Sequence, residues 1–377
     1  MSNCRFRIFQ PVVPEYRKAL FEGLGLRYGD RIEVWADDRV GVNNISVPLE
    51  HMRYDYAHEY RHKFGLVWQS GFSLRGLIRG DVIVVCGDVR QLCMLWMAFV
   101  AKCRGIKVIW WGHHVSAHAQ EGRTRIRLCI AKWLSNSMLC YTDAGITFLR
   151  QRGFRHVYAT GNTIDMESVN KAIADWGEEK IGRFKAEHGL VDCKVLLFCG
   201  VMREKARIDV LLRAFKQMKP DENNLKLVII GDGAKFQEWY ELGDELMVNS
   251  RVIWLGELRG QDRLAPWFLC ADVFAYPGSV GLSLLHSFSF ALPVVVNDDR
   301  EDHGPEYAAV FRNGENGFAF KAGDENDFAA VLVRALSDKE MLSCMGRRGQ
   351  EFVRANYSMS NMIERFSEAL EKTAALK

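Results

Sequence analysis

Short β-branched or apolar runs alternate with longer helical patterns along this chain of 377 residues, the rhythm of βαβ units and a parallel sheet. In the first half the predicted strands are RFRIF (5–9), IEVWA (32–36), VIVVC (82–86), KVIWW (107–111) and the segment around HVYAT (156–160). In the second half they are KVLLFCG (194–200), KLVIIGDG (226–233), RVIWLGEL (251–258), DVFAYPG (272–278), PVVVN (293–297) and GFAF (317–320). The two sets are independent of one another. Between them the apolar rhythm stops in GNTIDMES (161–168), where turn-forming Gly, Asn and Asp cluster. The expected divisions are 1–162, 163–356 and a closing helix over 357–377, in which Met362, Ile363, Phe366 and Leu370 recur at helical spacing. The fold class is α/β: two doubly wound Rossmann-like domains facing a central cleft, with the last helix crossing back to the first domain. Such sheets take ligands beyond the carboxyl ends of their strands.

Composition narrows the function classes. Hydrophobic residues make up 48% and charged residues 26%, values of a globular and not a disordered chain. The ten cysteines are scattered without a C-x-x-C pair, several inside apolar runs such as VVCG and LLFCG, so they read as reduced, structural thiols. There is no zinc-type Cys/His spacing, no G-x-x-x-x-G-K-[ST] phosphate loop, and no G-x-G-x-x-G after the first strand, which removes the main support for ATPase and dinucleotide readings. No nucleic-acid partner is expected. The densest apolar run, LCMLWMAFVA (92–101), has the length of a buried core helix and falls short of the roughly 18 residues of a membrane span. MSNCRFRIFQPVVP lacks a secretory h-region, so the expected location is cytoplasmic.

Charge is divided unevenly. Residues 1–162 carry 23 Lys+Arg against 13 Asp+Glu, a net of +10, while the whole chain is only +3. A basic first half suits an anionic partner, either a membrane surface or a phosphorylated acceptor. Within it, EGRTRIRLCIAKWLSN (121–136) is a basic amphipathic stretch able to lie on an anionic membrane, which makes the protein a candidate peripheral protein of the inner membrane face.

Four segments carry candidate chemistry. PGSVGLSLLHSF (277–288) reads as strand end, turn and helix start, so backbone N–H groups near Gly281, Leu282 and Ser283 can meet a diphosphate. GVMREKARID (200–209) brings the cations Arg203, Lys205 and Arg207, which can neutralise an anion. WWGHH (110–114) sets His113 and His114 at a strand end, where a neutral imidazole can accept a proton. VVPEYRKALF (12–21) brings Tyr16 and Arg17 to the same rim, where Arg17 can meet an acceptor phosphate.

In order along the second half, FCGVMREKARIDVLLRAF (198–215), LVIIGDG (227–233), VIWLGEL (252–258), DVFAYPGSVGLSLLHSFSFALPVVV (272–296), the Pro-Glu of HGPEYAAVFRNGENGFAFKAGD (303–324) and the closing helix resemble the donor domain of family 4 retaining glycosyltransferases. PEYRKALFEGL (14–24), WWGHH, YTDAGITFLRQRG (141–153) and GNTID (161–165) look like the acceptor domain of the same family. The resemblance implies a GT-B fold and transfer, with retention and without a metal or other cofactor, from a nucleotide diphosphate sugar to a glycan or lipid-linked acceptor. Assembly of a surface polysaccharide or glycoconjugate is the implied setting. It further implies catalytic roles for His113, Arg203, Lys205 and Arg207. Donor contacts would come from Gly278, Gly281, Leu282, Ser283, His286, Glu306 and Leu258, and acceptor-side contacts from Tyr16, Arg17 and His114.

The chain departs from that pattern in two places. The family's Glu, seven residues, Glu becomes Gly278 and His286, and its Arg and Lys at the first and sixth positions after the loop glycine become Val201 and Ala206. Restoring Lys at 206 would return the pattern. The rival readings are a sugar-nucleotide epimerase of the same architecture and a transferase-like protein that binds donor without turnover.

Overall fold

The computed structural model describes residues 4–40, 44–55, 60–63, 65–112, 121–218 and 224–376. The chain divides into two compact units, Met1–Thr163 with Met359–Lys377, and Ile164–Ser358.

The first unit is built on seven strands: β1 (Phe6–Phe9), β2 (Ile32–Trp35), β3 (Arg53–Asp55), β4 (Val82–Cys86), β5 (Lys107–Trp111), β6 (Ser137–Cys140) and β7 (Val157–Ala159). They lie in the order β7-β6-β5-β4-β1-β2-β3 and every pair is parallel. Strands β1 and β6 are buried at all four positions, as expected where helices cover both faces of a parallel sheet and the strand reads as a continuous apolar run. On one face Phe21, Leu24, Trp111, Phe366 and Leu370 pack together; on the other Met94, Met97, Trp110, Leu128 and Leu134 do so.

The closing helix, Met359–Ala374, belongs to this first unit although some 195 residues of the other separate it from β7. Its apolar stripe explains the return. Phe366 meets Trp111 edge-on at 5.0 Å, and Met362, Ala369 and Leu370 are buried beside it. Tyr28 donates to Glu371 at 2.8 Å, and Thr373 bonds Ser137 at 2.8 Å.

The second unit carries β8 (Lys194–Cys199), β9 (Leu225–Ile230), β10 (Val252–Gly256), β11 (Val273–Tyr276), β12 (Val294–Asn297) and β13 (Gly317–Phe320) in the order β10-β9-β8-β11-β12-β13, again all parallel. Both units are therefore doubly wound. Strand order reverses between β1 and β4 in one and between β8 and β11 in the other, and at such switch points the loops beyond the carboxyl ends part to leave a crevice.

The LCMLWMAFVA run departs from its sequence reading. In the helix Leu92–Cys103 one stripe, Cys93, Met94, Met97, Ala98 and Ala101, is buried, but Leu92, Trp96 and Phe99 on the other stripe are exposed. The core needs only one side of a helix lying on a sheet.

Candidate functional site

At the β8/β11 switch point the loops of the second unit are hydrogen-bonded into one continuous rim. Gly231 donates to Gly256 O at 2.8 Å, Gly200 to Ile230 O at 3.0 Å, Met202 to Asp232 O at 2.9 Å and Lys235 to Met202 O at 3.1 Å. Glycines permit the approach: a Cβ at Gly231 would stand 1.9 Å from Gly200 O, and one at Gly233 2.6 Å from Met202 O.

Gly278 is packed as closely as Gly231. A Cβ there would lie 1.9 Å from Lys205 O and 2.8 Å from the carbonyl carbon of Ala206. The same Lys205 carbonyl accepts from Ser279 N at 2.8 Å. Position 278 therefore has no room for a side chain, and the Glu that the family pattern carries there cannot be accommodated while the basic loop sits against the turn. Ala206, on the other side of that contact, is itself buried and packed into the core.

From the opposite side the turn is held by residues that the sequence reading did not single out. Asn297, at the end of β12, donates to Pro277 O and Gly278 O at 3.0 and 3.1 Å. His303 Nδ1 accepts from Val280 N at 3.1 Å while its Nε2 lies 2.9 Å from Asn297 O, which makes Nε2 the protonated nitrogen of a neutral ring. Burial holds its pKa below the ordinary range. Gly304 N donates to Val280 O at 2.8 Å. The available sequence signal was a histidine two residues before the Pro-Glu helix start, in the loop after an apolar strand.

Between these two clamps begins the helix Leu282–Ser289, with Gly281 as its N-cap. The N–H groups of Leu282 and Ser283 have no intrahelical acceptor, an arrangement that with the helix dipole is suited to an anion. The carboxylate of Glu306, buried in the first turn of Pro305–Val310, lies beside this turn, with Oε2 3.9 Å from where a Cβ on Gly281 would stand. Arg203 and Lys205 are exposed, and neither forms an ion pair among the described residues. Arg207 differs from them: it holds a left-handed conformation, φ 52°, and pairs with Asp209 at 3.2 Å. Leu258, half-buried, packs on the core just after β10.

His286 is less available to a ligand than the sequence reading allowed. Its Nε2 is 2.8 Å from Gln261 Oε1, and its ring packs against Phe268 and Phe290 with centroids 4.5 and 5.4 Å away. Burial pushes its pKa down to about 4, so the ring is neutral at pH 7 and only Nδ1 is left, as an acceptor.

In the first unit the strand ends gather around Arg17. Its guanidinium lies 4.3 Å over the Trp111 ring, donates to Gln10 Oε1 at 2.9 Å and to the Tyr141 hydroxyl, and leaves Nε unpartnered. Gln10, Tyr141 and Trp111 are all neutral, and no carboxylate pairs with Arg17 among the described residues, an unusual state for a largely enclosed cation. Tyr16 beside it is exposed. His113 and His114 lie outside the described residues.

Two doubly wound parallel-sheet units of this kind define the GT-B architecture, and comparison with solved structures agrees. The chain superimposes on Anabaena Alr3699/HepE, crystallised with UDP and glucose, with a TM-score of 0.73 over 98% of this chain and 100% of that one at 13% identity. Residues 181–352 match the family model described as Glycosyl transferases group 1. Among curated relatives, N-acetyl-alpha-D-glucosaminyl L-malate synthase of Bacillus anthracis is 26% identical, covering 54% of this chain and 52% of that protein. The lipopolysaccharide core biosynthesis glycosyltransferase LpsE of Rhizobium meliloti is 25% identical over 48% and 50%. The chain thus spans about half the length of these two relatives.

Two consequences can be measured. Gly278→Ala should drive the basic loop off the turn and cost about 1–3 kcal/mol, the range of an overpacked site, read by urea denaturation; a change below about 0.5 kcal/mol would refute the contact. Because His286 has a lower pKa folded than unfolded, its contribution to stability is complete above about pH 6.5 and is lost as pH falls toward 4. The pH 7 to 4.5 loss should be about 2–3 kcal/mol smaller in His286→Gln than in the parent chain, whereas parallel curves would contradict the burial.

Proposed function

We propose that this chain is a retaining, metal-independent glycosyltransferase that moves a sugar from a nucleotide diphosphate donor to a glycan or lipid-linked acceptor on the cytoplasmic side of a membrane, in surface polysaccharide or glycoconjugate assembly. The observation that carries the reading is the locked turn at Gly278, which holds the loop bearing Arg203 and Lys205, neither in an ion pair among the described residues, against the turn that leads to Leu282 and Ser283. The names of the relatives and the fold of a UDP-binding neighbour support it.

In the reaction the bond from the sugar's anomeric carbon to the β-phosphate oxygen breaks. The acceptor oxygen bonds that carbon on the face the diphosphate leaves, and the acceptor's proton passes to the departing β-phosphate oxygen. Negative charge therefore grows on the β-phosphate, where fixed amides and cations act without reorganisation. Arg203 and Lys205 take this role ahead of Arg207, whose charge Asp209 already meets. Leu258 flanks the nucleotide. With position 278 closed to a side chain, Glu306 is the carboxylate left to accept from a donor sugar hydroxyl. His286 offers a ribose hydroxyl only its Nδ1 acceptor. On the first unit Arg17 receives an anionic group of the acceptor, with Tyr16 at the rim, and His113 and His114 are the groups nearest in sequence to that strand end.

Calorimetry with UDP, GDP, dTDP and CDP tests the reading, with UDP the first choice. One nucleotide should bind selectively with EDTA present, and Arg203→Ala with Lys205→Ala should weaken it about tenfold or more. Binding of none of the four, or an unchanged Kd in the double variant, would overturn it.

A further inference from the structure

The first unit carries a surface that its own core does not use. Along the helix Leu92–Cys103, Leu92, Trp96 and Phe99 point away from the core at positions i, i+4 and i+7. The neighbouring helix, Glu121–Leu134, buries Leu128, Ala131 and Leu134 but exposes Ile126 and Trp133. Trp96, Trp133 and Ile126 are 51, 59 and 64% exposed. The rings form one track: Trp96 to Phe99 is 5.8 Å and Phe99 to Trp133 is 5.9 Å, the latter pair stacked. A contiguous apolar strip of this kind marks a surface that meets something other than water.

Its surroundings select the partner. Lys102 stands 5.5 Å from the Trp133 ring, and Arg125 and Lys132 are exposed on the same helix as Trp133. Immediately next to Trp133, Lys132 enters the wall of a cavity of about 380 Å³, which Ser135, Asn136, Arg155 and His156 also line and no acidic residue does. The unit around it is strongly basic, and its closing segment, 359–377, adds three cations and three anions and so leaves that balance unchanged. A protein-binding face built from aromatics has no need of an acid-free cationic cavity at its edge. An anionic bilayer matches both parts: exposed Trp and Phe sit at the level of the headgroups, and cations beside them meet phosphate.

We propose that Leu92, Trp96, Phe99, Ile126 and Trp133 form a platform that dips into the surface of an anionic membrane, and that the Lys132–Arg155–His156 cavity receives a lipid headgroup phosphate. The platform lies in the plane of the membrane and does not cross it: the Leu92–Cys103 helix has 12 residues, and no described helix is long and apolar enough to span a bilayer. The inference deepens the reading of a membrane-side transferase by naming the surface, but it needs no donor, acceptor or turnover. Failure of nucleotide binding would leave it standing.

The test is co-sedimentation of the full chain with vesicles of phosphatidylcholine alone and of phosphatidylcholine mixed with phosphatidylglycerol, at low and high salt. Binding should require phosphatidylglycerol and weaken with salt. Trp96→Ser with Trp133→Ser, and separately Lys132→Gln with Arg155→Gln, should each weaken it about tenfold or more while the thermal midpoint by circular dichroism stays that of the parent. Free inorganic phosphate distinguishes a headgroup site from a site for a soluble anion: competition by millimolar phosphate against vesicles would overturn the headgroup assignment. Absence of sedimentation with both vesicles, binding unchanged in both double variants, or a dimer in sedimentation velocity that the Trp substitutions abolish would overturn the platform.

Discussion

A backbone carbonyl fills the place of a side chain at the centre of the second unit. Lys205 O sits where the Cβ of residue 278 would be and accepts from Ser279 N, and this contact ties the loop after β8 to the turn after β11. The two strands are neighbours in the sheet but the connections that follow them leave in opposite directions, so nothing in the sheet itself fixes the distance between their loops. The glycine does. With the basic loop on one side and the Asn297–His303 pair on the other, the start of the helix Leu282–Ser289 has little freedom. A site that is to stabilise charge appearing briefly on a phosphate needs that rigidity, because amides that must reorient in the transition state lose part of their effect.

The same topology gives both halves of the chain a switch point, and the side chains on its loops differentiate them. In the second unit those loops carry the amides of Leu282 and Ser283, the exposed cations Arg203 and Lys205 and the buried carboxylate of Glu306. In the first they carry a guanidinium stacked on Trp111 among neutral partners. Burying a cation without a carboxylate is costly unless polar groups and a ring face share its charge. Arg17 meets that requirement in part, and an anionic ligand would complete it.

Much of the architecture was legible in the sequence because parallel strands covered on both faces must be continuously apolar; VIVVC, KVIWW and KVLLFC announce themselves for that reason. The polar edge strand Arg53–Asp55 could not be read this way, since an edge held by one neighbour needs no apolar run. The turn before the helix Leu282–Ser289 was visible from its glycines and helix start. Its clamps were not, because Asn297 and His303 act through hydrogen bonds set by three-dimensional proximity. Gly278 shows the limit of pattern matching most sharply: against the family pattern it reads as a missing carboxylate, whereas in the fold it is the one residue small enough for its place. His286 likewise looks like a substituted ligand until Gln261, Phe268 and Phe290 are seen around it. The helix Leu92–Cys103 misled in the other direction, because apolar residues on two stripes look alike in sequence whether or not both are covered.

The proposed function requires that a preformed rim, and not a rearranged loop, receive the donor diphosphate. A crystal structure of the chain with its nucleotide diphosphate tests this most directly. A preformed rim should place β-phosphate oxygens at about 3 Å from the N–H groups of Leu282 and Ser283, with Arg203 or Lys205 on the same phosphate and the Ser279 N to Lys205 O bond intact. A diphosphate bound away from that turn, or a 200–207 loop withdrawn from Gly278 to make room for it, would contradict the claim.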